Sequence, residues 1–281
     1  MKQNSRISRR VLSWLAPLLT SFHSTQHGGK SSTVLFRCNI CGCNSENSLV
    51  ATRGREIASC RTCGSTLRFR AIVNGLSIGL FNQQIALPDF PLRREIKGIG
   101  LSDSQLYAER LARKFSYKNT FFHAPPQLDI ADVEGAPFAE LDFLIASDVF
   151  EHVRPPVADA FRNARRLLRR GGVFVFSVPY VPGSTKEHFP NLHEYFIERR
   201  QDHFVLSNRT VDGQLEQFES LVFHGGPGTT LEMRLFGFDD LVRHFKEAAF
   251  DPPTLLSHAA PQFGIDFTNE VCSIPMVARA R

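Results

Sequence analysis

Leu141–Tyr180, LDFLIASDVFEHVRPPVADAFRNARRLLRRGGVFVFSVPY, contains a strand, a helix and a second strand with their punctuation in place. Leu141 to Ser147 is mostly apolar with one early charge, the pattern of a strand buried on both faces of a parallel sheet. Pro155-Pro156 opens a helix with Val157, Phe161, Ala164, Leu167 and Leu168 on one face, and Gly171-Gly172 stops it. Arg162, Arg165, Arg166, Arg169 and Arg170 are left mainly to solvent. Val173 to Val178 is a second buried strand, ended by Pro179. Such a unit closes as a right-handed parallel crossover. Asp148 and Glu151-His152 follow the first strand, and in open α/β sheets ligands bind beyond the carboxyl ends of the strands.

This stretch resembles the fourth and fifth strands of class I S-adenosylmethionine-dependent methyltransferases, in which an FDxI strand runs into an acidic residue, EHV, an amphipathic helix and a GG-strand. The resemblance extends over roughly residues 93–281, firm from Leu141 to Val178 and softer on both sides. It implies a Rossmann-like, doubly wound, mostly parallel α/β sheet, S-adenosylmethionine as cofactor, and Asp148, Glu151 or His152 as candidate catalytic groups. Methyl transfer from a sulfonium is an in-line displacement on an activated donor, so a base is needed only where the nucleophile holds a proton.

Two alignments of the preceding strand stay open. If Ile96 to Leu101 is the first strand, Gly98 and Gly100 stand in for the family's glycine turn, Asp103 begins the helix from about Ser104 to Lys114, and Tyr117 to His123 is the second strand. If it is instead the second strand, Gly100 occupies the place of the ribose-binding acid. The first alignment is preferred, because nothing earlier in the chain resembles a buried strand. The resemblance also places Asp129 and Ile130 against the adenine, so the implied cofactor residues are Gly98, Gly100, Asp103, Asp129, Ile130 and Asp148.

Ahead of this domain, Cys38-Asn-Ile-Cys41 and Cys60-Arg-Thr-Cys63 are two CxxC pairs separated by 18 residues, the spacing of a four-thiolate zinc site on paired knuckles. Gly42 and Gly64 each follow the second cysteine of a pair, where a tight turn needs a residue with no Cβ. Four thiolates close the coordination shell, so Cys38, Cys41, Cys60 and Cys63 predict a structural zinc ribbon; two disulfides are the alternative. Cys43 is a spare thiol able to replace Cys41, and Cys272 reads as a small buried hydrophobe.

The chain divides into a basic extension over residues 1–32, the zinc-ribbon-like module at 33–66, a helical linker at 67–92, and the methyltransferase-like domain at 93–281. An insertion at about 181–230, expected to cap the site, carries His188, His193, His203 and His224 in no recognisable ligand spacing. Its Gly225-Gly226-Pro227-Gly228 run reads as a plain turn. Residues Phe236 to Phe250 read as the last helix and Val271 to Ala278 as the closing strand.

The charge is uneven: residues 1–70 hold 11 Lys and Arg against Glu46 and Glu56, a net of +9, so residues 71–281 carry −4 of the +5 total. A nucleic acid or acidic partner at the basic front is one consequence, with Arg53, Arg55, Arg61, Arg68 and Arg70 around the cysteines as the face concerned. No apolar run reaches the roughly 18 residues of a membrane span, and a cytoplasmic location is expected. The competing function is a zinc-ribbon binding module joined to a methyltransferase-like domain without its cofactor; the methyl acceptor is not named by the sequence.

Overall fold

A computed structural model describes residues 32–225, 228–268 and 273–281. The extension over residues 1–31, Gly226-Pro227 and Cys272 lie outside the described residues.

The cysteine module begins with β1 (Thr33–Arg37) paired antiparallel to β2 (Asn44–Ser48). A short helix α1 (Leu49–Arg53) follows, its first turn capped by Ser48 Oγ accepting from the Ala51 amide. Helix α2 (Leu67–Phe81) starts in the same manner on Thr66 and ends where Asn82 takes the left-handed conformation. Then come β3 (Lys97–Leu101), α3 (Gln105–Lys114), β4 (Ser116–Thr120), β5 (Leu141–Ser147), α4 (Ala158–Leu167) and β6 (Leu168–Ser177).

The insertion is built from short pieces: β7 (Tyr180–Val181), β8 (Lys186–Glu187), β9 (Glu194–Arg200), β10 (His203–Arg209), β11 (Leu215–Phe218), β12 (Phe223–His224), β13 (Thr230–Leu231) and β14 (Arg234–Gly237). Strands β9, β10 and β11 form their own antiparallel sheet, beside a small core of Phe189, Leu206, Leu231 and Met233. Helix α5 (Phe238–Glu247), β15 (Thr254–Leu255) and β16 (Met276–Arg279) close the fold.

The main sheet runs in the order β15-β16-β6-β5-β3-β4, with β4, β3, β5 and β6 parallel, β16 antiparallel to β6 and β15 antiparallel to β16. Doubly wound sheets run outward from a first strand, with the second strand on one side and the fourth on the other. Strand β3 pairs directly with both β4 and β5, so it holds the place of the first strand. The first alignment is the one the topology follows.

Strand alternation divides the core into two layers. Phe143, Ile145, Val173 and Val175 face α2 and α3, together with Ile72, Leu76, Leu111 and Phe115. Leu144, Ala146, Phe174 and Phe176 face α4 and α5, where Phe161 packs within 4.9 Å of Phe150 and 5.3 Å of Phe245, ring centre to ring centre. Each such buried aromatic contributes about 1.5–3 kcal/mol by transfer alone. Phe150 thereby anchors the turn that carries Glu151 and His152.

Four local expectations shift. The helix expected to reach Gly171 ends at Leu167, because β6 begins at Leu168, which pairs with Leu141, while Arg169 Nε donates to Asp142 Oδ1 at 2.6 Å. The stretch from Phe236 is first a strand, since Phe236 and Gly237 pair with Tyr180 and Val181; α5 starts at Phe238 with Asp239 and Asp240 in its first turn. The second strand stops at Thr120, and the closing strand is Met276–Arg279.

Helix α2, expected as a linker, lies on the sheet against β5, β6 and β16. Its contact depends on Gly75 and Gly79, one turn apart on the same side. A Cβ at Gly75 would come within 2.6 Å of Leu256, and one at Gly79 within 2.4 Å of Val173. The cysteine module joins the same layer through Phe36, Cys38, Ile40 and Cys60. No helix among the described residues is long and apolar enough to cross a membrane.

Candidate functional site

Two knuckles bring the four expected cysteines together. Gly42 and Gly64, at φ 81° and 71°, turn back so that their amides donate to Cys38 O and Cys60 O, both at 2.8 Å. All four sulfurs lie within 4.8 Å of one another, with Cys38 and Cys63 Sγ 3.7 Å apart and Cys41 and Cys60 Sγ 3.8 Å apart. These separations are far beyond the roughly 2.05 Å of a disulfide, and each cysteine is a free thiol. Cys43 is exposed and outside the group, so it does not replace Cys41.

Arg70 lies wholly buried beside this group. Its terminal nitrogens donate to Ser59 Oγ, Ser65 O and Gly264 O at 2.9 Å, and it forms no ion pair among the described residues. Burial pulls its guanidinium down to about 10, against the attraction of Cys38, Cys60 and Cys63. The other arginines of the expected basic face are engaged inside the molecule as well. Arg53 pairs with Asp266 at 2.7 Å and Arg68 with Glu56 at 2.7 Å, while Arg55 reaches Asp148; Arg61 alone of the five is exposed. Four of these five arginines are thus engaged within the fold.

At the carboxyl edge of the sheet, Asp148 leaves β5 at φ 55°. Arg55 donates from both terminal nitrogens to its two oxygens, at 2.9 and 2.8 Å, and Ser177 Oγ donates at 2.9 Å. Arg68 Nε approaches to 3.5 Å. Burial alone would raise this carboxyl; the Arg55 and Arg68 guanidinium groups outweigh it and hold it below the usual carboxylate range. A carboxylate so held is a poor proton acceptor.

The expected glycine turn is placed differently. Gly98 and Gly100 lie inside β3, where their missing Cβ atoms leave room for side chains of the α2–α3 layer. A Cβ on Gly98 would meet the Phe143 ring at 2.2 Å, and one on Gly100 would meet Asp103 Oδ2 at 1.9 Å. The sharp turn after the strand is made by Ser102, at φ 56°. Asp103 points inward, accepting from Tyr107 and Tyr117 hydroxyls at 2.8 and 2.6 Å, and burial raises it to about 7 against those hydrogen bonds. Asp129 Oδ1 accepts from the Ala131 amide at 2.8 Å, and Ile130 is buried in the core of the α4–α5 layer. Of the six expected cofactor residues, Gly98, Gly100, Asp103 and Ile130 are buried, and Asp129 and Asp148 are partly open.

Glu151 and His152 follow on a one-turn helix and meet residues that the sequence did not connect to them. Glu151 is fully buried, and neither of its carboxylate oxygens has a hydrogen-bond partner among the described residues. Burial, then the Asp148 charge, pushes it well above the usual carboxylate range. His152 Nε2 is 3.8 Å from Glu151 Oε1, and His224 Nδ1, from β12, is 3.9 Å from the same oxygen. Glu232 accepts from His188 Nε2 at 2.8 Å and from His224 Nε2 at 2.9 Å, which brings it down to about 2 although burial acts the other way. Buried Arg234 ties this region together, donating to Phe150 O and Val153 O at 2.8 and 2.6 Å and pairing with Glu187 at 2.8 Å. The partners come from a segment some 70 residues downstream, so no local spacing could have announced them.

Two surface hollows lie elsewhere. One of about 370 Å³ borders Leu35, Arg37 and Gln262, and one of about 260 Å³ borders Asp202, His203 and Glu219.

Residues 76–176 match a family model described as a methyltransferase domain. No curated protein matches the chain. Similar solved structures include the sugar N-methyltransferase KedS8 from a Streptoalloteichus species, 13% identical with a TM-score of 0.42, over 94% of this chain and 99% of that one. They also include the amino pentose methyltransferase CalS10 from Micromonospora echinaspora, 11% identical with a TM-score of 0.42, over 78% and 93%. A third is an S-adenosylmethionine-dependent methyltransferase from Clostridium acetobutylicum, 12% identical with a TM-score of 0.38, over 65% and 83%. The family match runs from within α2 into β6, over the stretch that builds the parallel part of the sheet.

Proposed function

We propose that the chain is an S-adenosylmethionine-dependent methyltransferase whose four-cysteine module holds a structural zinc ion. The methyltransferase-domain match across the strands that form the carboxyl edge carries the first half of this. The amino acid end of S-adenosylmethionine is a zwitterion. At the edge, Asp148, ionised and partly open, matches the ammonium group, and Arg55 and Arg68 lie beside it with their charges shared between Asp148 and Glu56. Bound there, the cofactor supplies a methyl group already activated on sulfur. The protein's work is then to align an acceptor and exclude water. Asp148, held ionised between arginines, serves as a binding group in this scheme rather than as a base.

For zinc, the fit lies in the charge balance. Four thiolates around a dication carry a net charge of −2, which needs a counter-charge when buried. Arg70, buried beside the sulfurs with no carboxylate partner among the described residues, supplies one. The metal would then be a fold component, contributing to the stability of residues too few to bury a core by themselves.

Equilibrium dialysis or calorimetry with S-adenosylmethionine tests the first half. Saturable binding weakened in Asp148→Asn supports it. No binding at millimolar ligand leaves the zinc-ribbon binding module as the function.

A further inference from the structure

We propose that Glu151, His152 and His224 bind a divalent transition-metal ion at a second site, separate from the cysteine quartet. One oxygen and one nitrogen from each histidine lie within 4.8 Å of one another. Glu151 is the observation that asks for a ligand: a fully buried side chain whose two oxygens find no donor among the described residues. Burying such a group without a partner is costly, and a bound dication removes the cost.

The hydrogen bonds around the two histidines assign their tautomers. His152 Nδ1 lies 2.8 Å from Leu231 O, which only accepts, so Nδ1 carries the proton and Nε2 presents a bare lone pair toward Glu151. His224 Nε2 lies 2.9 Å from Glu232 Oε2, which also only accepts, so Nδ1 is the bare nitrogen, and it too faces Glu151. A ring nitrogen aimed at the site while the other donates to a carbonyl or carboxylate is how proteins orient histidine ligands. Glu232 is itself held by His188 at 2.8 Å, so the outer layer is also fixed.

Two nitrogens and a carboxylate suit zinc or iron(II), unlike the soft thiolate quartet. Bonds of about 2.0–2.2 Å place tetrahedral ligand atoms roughly 3.4 Å apart, so the group, at 3.8 and 3.9 Å from Glu151 to the histidines and within 4.8 Å throughout, contracts on binding. Three protein ligands leave a coordination position open. His224, at 37% side-chain exposure the most accessible of the three, marks the side from which it is reached. Nothing in this depends on methyl transfer.

The test is metal counting on the full chain, loaded with zinc and then separately with cobalt(II). Wild type is expected to bind two equivalents, one giving the intense sulfur-to-cobalt absorption of a thiolate site and one giving only weak visible bands. Glu151→Gln and His224→Ala should each bind one, with the thiolate absorption intact. Glu232→Gln should keep the second site but weaken it roughly 10–100-fold. Because His224 is partly exposed, His224→Ala is the variant least able to fail by misfolding. A single equivalent in wild type, reported by the thiolate absorption alone, or a second equivalent that survives His224→Ala, overturns the proposal and leaves Glu151 as a buried neutral acid.

Discussion

The cysteine quartet and the Glu151–His152–His224 group are both candidate metal centres, yet they are assembled in opposite ways. The quartet is local: two knuckles with a glycine after each second cysteine, ordered by their own backbone hydrogen bonds. The histidine group is assembled across the fold, from a turn after β5 and a strand of the insertion, and depends on buried Arg234 and the Phe150 anchor to meet. The difference teaches where each site is vulnerable. The first fails when a ligand is lost, the second when packing between elements is lost.

The largest effect separating the two should come from Cys60→Ser. Removing a thiolate opens the shell of a site whose whole zinc-binding free energy is on the order of 10 kcal/mol in apparent terms, read as loss of one metal equivalent and a lower Tm. Metal at the histidine group should persist in that variant if its folded state survives; simultaneous loss of both would show that the two regions fold as one cooperative unit.

Arg70→Leu sharpens the same contrast. The sulfurs stay, but their buried counter-charge goes, and the expected cost is about 3 kcal/mol in chemical denaturation together with weaker zinc binding. A neutral outcome would mean that charge balance is not what Arg70 provides.

Arg55→Ala acts between the cysteine module and the sheet edge. It breaks the bidentate pair with Asp148 and should cost about 2 kcal/mol, less than the Arg70 change because both partners retain some solvent contact. Cofactor affinity should fall with it, while zinc content stays unchanged.

The last comparison is a pH slope. Asp103 is raised to about 7 from an unfolded value of 3.8, so its protonated form is favoured in the folded state. Its contribution is fully present below pH 3.8 and is lost as pH rises toward 7. Asp103→Asn should remove that slope. Unfolding free energies of the two proteins, compared at pH 4.5 and pH 7.5, should show the wild type losing ground to the variant at the higher pH.

Legibility followed the range of the interactions. The strand at Leu141–Ser147, the paired knuckles and the helix at Leu67–Phe81 were readable because apolar runs and cysteine spacing act within a few residues. Gly98 and Gly100 misled for an instructive reason: a glycine needed for a turn and one needed for side-chain room look alike in sequence, and only Phe143 and Asp103 reveal which is which. The arginines around the cysteines misled in a similar way, since a charge count cannot register that Asp148, Glu56 and Asp266 consume them.

By itself the sequence determined the parallel α/β crossover, which four cysteines meet and the edge of the sheet at which Asp148 lies, because each is written in near-neighbour spacing. Tertiary structure alone decided the layer on which α2 lies, the inward turn of Asp103 and the meeting of Glu151 with His224. Those are contacts between residues far apart in the chain, fixed by the packing of whole elements, and no pattern of neighbours records them.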